Sequence, residues 1–164
     1  MEIAKLFGLP AHPLLVHIPI VLIPLVGVGA VVIAVSPRAR QRIGWIVVGL
    51  AGVALVGVQL AMGSGEALED SVRRSQALSK HVSLADSMRP LAVVLLVAVL
   101  GLMLADRFVR SPRRGQVLAA TATLVVLSAA ISNVWIVRLG HNGAKATWER
   151  VNVRSEGETG KDRD

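Results

Sequence analysis

The chain contains no cysteine among its 164 residues, and charged residues make up only 18% of it. Without cysteine, disulfide bonds and thiolate metal ligands are both excluded. So little charge, beside 53% apolar residues and a mean hydropathy of +0.60, excludes an ordinary soluble domain of this length. The composition indicates an integral membrane protein.

Four apolar stretches are each close to the length that crosses a bilayer as a helix, which is roughly 20 residues for a hydrocarbon core of ~30 Å. They are Pro13–Val35, Ile43–Met62, Pro90–Ala105 and Gln116–Val137. The third is short, and a helix that begins near Ser79 would lengthen it. We expect the first stretch to be retained rather than cleaved, because it is too long for a signal peptide and is preceded by one basic residue only.

The positive charge lies mainly in two of the three connections between these stretches. The first connection holds Arg38, Arg40 and Arg42, and the third holds Arg107, Arg110, Arg113 and Arg114 with Asp106. The positive-inside rule makes both connections cytoplasmic, so that both termini and the second connection are extracytoplasmic. The net charge of +7 is therefore explained by the membrane topology of the chain. No nucleic-acid partner is expected.

These features predict an all-α fold, a four-transmembrane-helix bundle over residues 1–150 with both termini extracytoplasmic. Residues 151–164 form a polar tail that is expected to be disordered. Between the second and third helices, the i,i+4 pairs Glu69/Arg73 and Asp70/Arg74 predict a helical outer segment. The tripeptides Ser36-Pro37-Arg38 and Ser111-Pro112-Arg113 stand at corresponding turns, which is compatible with a duplicated hairpin.

All four histidines are expected at the extracytoplasmic face. His12 and His17 open the first stretch, His81 precedes the third, and His141 follows the fourth. His17 lies within the membrane, where an ionisable group normally faces the bundle interior. We expect Pro19 and Pro24 to bend the first helix just inside its histidines. The alternative for each histidine is structural: a hydrogen bond to a backbone carbonyl, a solvated ring, or a turn at the end of a helix.

Neutral imidazole is a common ligand of haem iron, copper and zinc, and side chains from several helices can converge inside a bundle. The candidate cofactor or metal ligands are therefore His12, His17, His81 and His141. Other polar groups at the same face are candidates for orienting these ligands: Gln59, Glu66, Asn133 and Arg138. Interhelical hydrogen bonds are the alternative role of the amides. Met62 and Met88 would suit Cu(I), or simply fill the core.

One stretch resembles a known family, the bacterial multi-pass membrane proteins with domain of unknown function 2231 (DUF2231). The resemblance rests on Leu9-Pro-Ala-His-Pro-Leu-Leu-Val-His-Ile-Pro-Ile20, on His81 at the start of the third helix, and on Gly140-His-Asn-Gly-Ala144. In the last motif Ala144 stands where a glycine is commoner. The resemblance covers about the first 150 residues and implies a four-helix membrane domain. Some family members are joined to Rieske or cytochrome-like domains, which implies a neighbourhood of electron transfer.

Two hypotheses follow for a protein of the bacterial cytoplasmic membrane. The first is an electron-transfer module that binds haem b, or else copper or zinc, with His17 and either His81 or His141 as axial pair and Arg138 or Lys80 beside the propionates. It would exchange electrons with a redox partner protein or quinone at the outer face. The second is a structural or accessory subunit without a cofactor. Either could form a homo-oligomer in the lipid bilayer. A proton or solute carrier ranks lower, because no charge lies at the midplane, and a zinc hydrolase lower still, because no nucleophile motif is present.

Overall fold

A computed structural model describes residues 5–6, 8–69 and 75–148 of the chain. A short antiparallel pair of strands, β1 (Lys5–Leu6) and β2 (Leu9–Pro10), turns at Gly8, whose φ of +81° favours glycine. The helices that follow are α1 (Ala11–Leu15), α2 (His17–Val35), α3 (Pro37–Glu69), α4 (Gln76–Phe108) and α5 (Arg114–Trp148). The expected polar tail, 151–164, lies outside the described residues.

Four helical spans are long and apolar enough to cross a membrane, which confirms the all-α, four-span expectation. The spans are α1 with α2, then α3, α4 and α5. With 33 residues each, α3 and α4 are about 50 Å long at a rise of 1.5 Å per residue, well beyond a hydrocarbon core of ~30 Å. Their ends therefore project from the apolar zone.

The helices extend further than the apolar stretches predicted. The third span begins at Gln76 rather than at Pro90, and the second ends at Glu69 rather than at Met62. Where it is described, the expected outer segment consists of these two extensions and is not a separate helix; residues 70–74 lie outside the description. The prediction was short because the apolar stretch marks what lipid covers, whereas the backbone stays helical beyond it.

The long helices pack in the cyclic order α2, α3, α4, α5 and back to α2. The start of α2, the end of α3, the start of α4 and the end of α5 meet at one end, here called the histidine end; the other end is the arginine end. Two buried apolar clusters fill the bundle, one around Val26, Leu95 and Val99 and one around Ile23, Val58 and Met88.

The first span has an interruption between its histidines, at a residue that keeps helical φ and ψ (−63° and −22°), whereas a bend was expected just inside the histidines. The helix is interrupted at Val16, which separates α1 from α2. Pro19 explains the position, because it has no N–H to donate to the Leu15 carbonyl one turn earlier. Pro24 lies within α2 and does not interrupt it.

The arginine end is held by a buried guanidinium. Arg40 is only 5% exposed; its Nε donates to the Ile33 carbonyl (2.9 Å) and its Nη2 to the Ala34 carbonyl (3.1 Å). Its Nη1 lies 3.4 Å from Asp106 Oδ1, and Arg114 Nη2 lies 2.9 Å from the same oxygen. Arg40 therefore satisfies carbonyls at the end of α2 and joins that end to α4.

Candidate functional site

Two of the four histidines meet at the histidine end. The imidazole centroids of His12, on α1, and His81, on α4, are 6.4 Å apart, and the ring planes are inclined at 80° to each other. Both side chains are half-buried. The first and third spans, far apart in sequence, thus contribute one imidazole each to a common place.

The ring of His12 is fixed by the end of α3. Its Nδ1 lies 2.9 Å from the Ala61 carbonyl oxygen and 3.3 Å from Ser64 Oγ, and that hydroxyl itself donates to the Ala61 carbonyl at 2.9 Å. The ring also packs against Gly65, where an added Cβ would stand 3.1 Å from His12 Cε1. The missing side chain at Gly65 makes room for the imidazole.

The ring of His81 is fixed in the same way by the end of α5. Its Nδ1 lies 3.2 Å from the Leu139 carbonyl oxygen. The ring packs against Gly143, where an added Cβ would stand 3.0 Å from His81 Cε1. Half-burial and the contact with α5 place His81 on a face of α4 that meets the protein.

The two settings repeat each other. In each hairpin, a histidine near the start of the first helix contacts a carbonyl and a glycine one turn apart on the second, Ala61 with Gly65 and Leu139 with Gly143. The arginine end shows a similar repeat. Arg40 donates to backbone carbonyls near the end of α2, and Arg114 Nη2 donates to the Asp106 carbonyl near the end of α4. This agrees with the duplicated hairpin that the two Ser-Pro-Arg turns suggested.

The contacts define the tautomer of both rings. A carbonyl oxygen only accepts, so Nδ1 of His12 and of His81 carries the hydrogen and donates it. In the neutral ring Nε2 then keeps its lone pair. Within the described part of the chain, neither Nε2 atom has a hydrogen-bond partner. A histidine that donates Nδ1–H to a backbone carbonyl is in the arrangement typical of metal-bound imidazole.

The other two histidines lie at the same end but do not join this pair. The side chain of His17 is exposed, so the expectation that it faces the bundle interior is wrong. The two residues are five apart, about 140° around a helix, so His12 can reach α3 while His17 points outward. His141 is also exposed and lies inside α5, not after the fourth helix, because the whole Gly140–Ala144 motif is helical.

The four polar residues expected to orient the ligands are not the ones that contact the rings. Gln59, Glu66 and Arg138 are exposed. Asn133 is half-buried, but its Nδ2 donates to the Ala129 carbonyl at 2.8 Å and its side chain lies against Gly27. Backbone carbonyls take the place that Gln59 or Glu66 was expected to fill. Met88 is buried in the core, and Met62 packs against the same cluster.

Sequence reasoning missed Ser64, Gly65 and the part that Gly143 plays. The signal that could have revealed them is the glycine at the last turns of both α3 and α5, opposite a histidine near the start of the preceding helix. Trp135 also contributes near the pair: its Nε1 donates to the Leu84 carbonyl at 3.0 Å and joins α5 to α4.

The donor set at this site is small. Among the described residues, no group of three or more histidine, cysteine, aspartate or glutamate side chains is placed to hold a metal ion. The arrangement instead offers two imidazoles from two spans.

Comparison with known proteins agrees with the membrane architecture. The sequence matches the DUF2231 family, described as predicted membrane proteins, over residues 8–155. Neither the comparison with curated proteins nor the comparison with solved structures gives a match. The matched range includes all four spans and both members of the imidazole pair, and the chain belongs to the DUF2231 family of membrane proteins.

Proposed function

We propose that this protein is an electron-transfer module of the bacterial cytoplasmic membrane that holds one haem b between His12 and His81, with the histidine end extracytoplasmic. The observation that carries the proposal is the close pair of imidazoles, with ring centroids 6.4 Å apart and each Nδ1 bonded to a carbonyl. His12 and His81 replace the axial pairs that the sequence suggested, which were His17 with either His81 or His141.

The size of the donor set favours haem over copper or zinc. A porphyrin supplies four nitrogens, so iron needs only two protein ligands. Zinc and copper sites in proteins commonly use three or four side-chain ligands. If one iron were held between these two rings, with metal–nitrogen bonds of about 2.0–2.1 Å, the ring centroids would be roughly 6.5 Å apart. The 6.4 Å between His12 and His81 fits that distance.

A bound haem would supply a one-electron centre at this end of the bundle. The chain itself would hold the rings, because the Ala61 and Leu139 carbonyls keep each Nε2 available. Exposed cations at the same end, Arg138 and Lys80, are candidates for meeting the propionates. Since all four histidines stand at one end, electrons would be exchanged there, with a redox partner protein or with quinone.

A cofactor-free accessory subunit is the second candidate, and one observation favours it. The hydrogen bonds of His12 and His81 also link α1 to α3 and α4 to α5, so both rings have a structural role without any ligand. In that case the two histidines stabilise the helix bundle through their hydrogen bonds. The bundle in turn would stabilise a larger membrane complex.

The decisive experiment is a reduced-minus-oxidised absorption spectrum of the full chain, purified in detergent, with metal analysis of the same sample. We expect sharp α and Soret bands and about one iron per chain. His12→Ala and His81→Ala should each lose these bands, and added imidazole should restore them. His17→Ala and His141→Ala are the matched controls, since both rings are exposed at the same end.

Three results would overturn the haem proposal. A colourless, metal-free protein would favour the accessory subunit. Stoichiometric copper or zinc without haem bands would retain the pair but change its chemistry. Bands that survive in His81→Ala but vanish in His141→Ala would move the site to other histidines.

A further inference from the structure

The arginine end carries a basic cavity that the electron-transfer proposal does not use. The cavity measures about 360 Å³ and lies at the connection between α4 and α5. It is lined by Asp106, Arg107, Val109, Arg110 and Arg114. Three guanidinium groups therefore surround it against one carboxylate. A volume of this size is sufficient for a small charged group such as a phosphodiester.

The single carboxylate is already engaged. Asp106 Oδ1 lies 2.9 Å from Arg114 and 3.4 Å from Arg40, so its charge is compensated within the protein. Arg107 and Arg110 form no ion pair with any residue in the described ranges. The Arg107 guanidinium lies 6.0 Å from the centroid of the exposed Phe108 ring. The cavity thus presents two uncompensated cations, which is the electrostatic requirement of an anion site.

We propose that this cavity binds the phosphate of an anionic phospholipid headgroup. Guanidinium groups donate in a planar fork that matches phosphate oxygens. Arg114, the first residue of α5, also lines the cavity, and because the end of α4 and the start of α5 both lie there, the guanidinium groups and not a helix dipole supply the positive charge.

Position favours a lipid over a soluble phosphate. The cavity adjoins the end of α4, where Phe108 and Leu104 are 65% and 40% exposed, so apolar surface continues directly from the basic surface. An anionic phospholipid is complementary to this surface, because its negatively charged headgroup is followed directly by apolar chains. Basic sites of this kind, at the headgroup level of a helix bundle, are typical of binding to anionic lipids.

The test uses the full chain in detergent, with lipid adducts counted by native mass spectrometry during titration with phosphatidylglycerol or phosphatidylcholine. We expect one phosphatidylglycerol to bind at least tenfold more tightly than phosphatidylcholine. Arg107→Gln/Arg110→Gln should weaken that binding by about tenfold, the loss expected for one or two charge-assisted hydrogen bonds. Arg38→Gln/Arg42→Gln is the matched control, since it removes the same charge from exposed arginines at this end outside the cavity, and it should change binding less than twofold.

Three outcomes would overturn the proposal. Equal losses in the two double variants would show attraction by overall charge without a site. Equal binding of the two lipids by the wild-type chain would remove the anionic selectivity, whether or not the variants fold. Displacement of phosphatidylglycerol by millimolar inorganic phosphate would identify a site for soluble anions. None of these outcomes depends on haem, so this proposal and the electron-transfer proposal fail separately.

Discussion

His12 and His81 lie with ring centroids 6.4 Å apart and ring planes inclined at 80°, and the Nδ1 atoms of the two rings bond to different helices. His12 is fixed to α3 and His81 to α5, which stand on opposite sides of the ring of helices. The pair therefore joins both hairpins at one point. Anything bound between the rings would connect all four spans.

A shared ligand predicts strong coupling between the two histidines. With haem bound, either His12→Ala or His81→Ala should abolish the ligand's contribution to the free energy of unfolding, so the double variant loses little more. In haem-free protein the two effects should be closer to additive, because the rings then share no ligand and the remaining coupling is limited to their own contact at 6.4 Å. Chemical unfolding in detergent measures the free energy of unfolding of the wild type, the two single variants and the double variant, each with and without haem. Additive losses in the haem-loaded protein would contradict a shared site.

The close approach of His81 to Gly143 predicts that Gly143→Ala disturbs the site. The new Cβ would stand 3.0 Å from His81 Cε1, so the ring must move by a few tenths of an ångström or lose its bond to Leu139. We expect weaker haem retention and a shifted Soret band. Measured unfolding should show a loss of about 1 kcal/mol, since overpacking outweighs the helix propensity that alanine adds.

The matched control is Gly140→Ala, on the same helix, where an added Cβ meets nothing within 4 Å. This substitution should leave the spectrum unchanged and stabilise the helix by up to about 1 kcal/mol. If both alanine variants behave alike, the glycine at 143 has no part in holding His81.

Much of the fold could be predicted because lipid imposes a strict rule on sequence. A span needs about 20 apolar residues, and all four predicted stretches lie within observed spans. The placement of the histidines at one end also follows from counting spans, since alternate helices run in opposite directions. The actual helix ends could not be predicted from apolarity, because Arg40 and His81 lie in helix beyond the stretches proposed.

The pairing within the histidine end could not be predicted for a different reason. His12 and His17 are five residues apart, which is about 140° around a helix, so only one of the two can face the bundle interior. Which of the two turns inward depends on tertiary contacts, here those of His12 with the end of α3, and helix periodicity alone does not give it. The ring partners, Ala61 and Leu139, contribute only backbone carbonyls, so their side chains carry no signal of the role.

The contact between Gly27 and Asn133 predicts a severe effect of Gly27→Ala. A Cβ at Gly27 would overlap the Asn133 amide, whose Nδ2 is held by the Ala129 carbonyl. We expect a loss of about 1–3 kcal/mol in the free energy of unfolding. Asn133→Ala in the same chain should recover most of it, because it removes the overlapping atoms. Gly52→Ala, where a Cβ meets nothing within 4 Å, is the control and should not destabilise the protein. A Gly27→Ala variant as stable as this control would exclude the tight contact.

The burial of Arg40 predicts that Arg40→Met is among the costliest substitutions at the arginine end. It leaves the Ile33 and Ala34 carbonyls without their donor and removes one of two cations from Asp106. Because Arg114 still compensates Asp106, we expect a loss of about 2–3 kcal/mol, less than for a fully orphaned buried charge. Arg42→Met, at an exposed position, should change stability by less than about 0.5 kcal/mol. Arg40→Lys separates charge from geometry: one ammonium cannot reproduce the three directions of the guanidinium, so it should recover only part of the loss in thermal unfolding. Full recovery by lysine would mean that charge alone, and not the cap on α2, holds this end together.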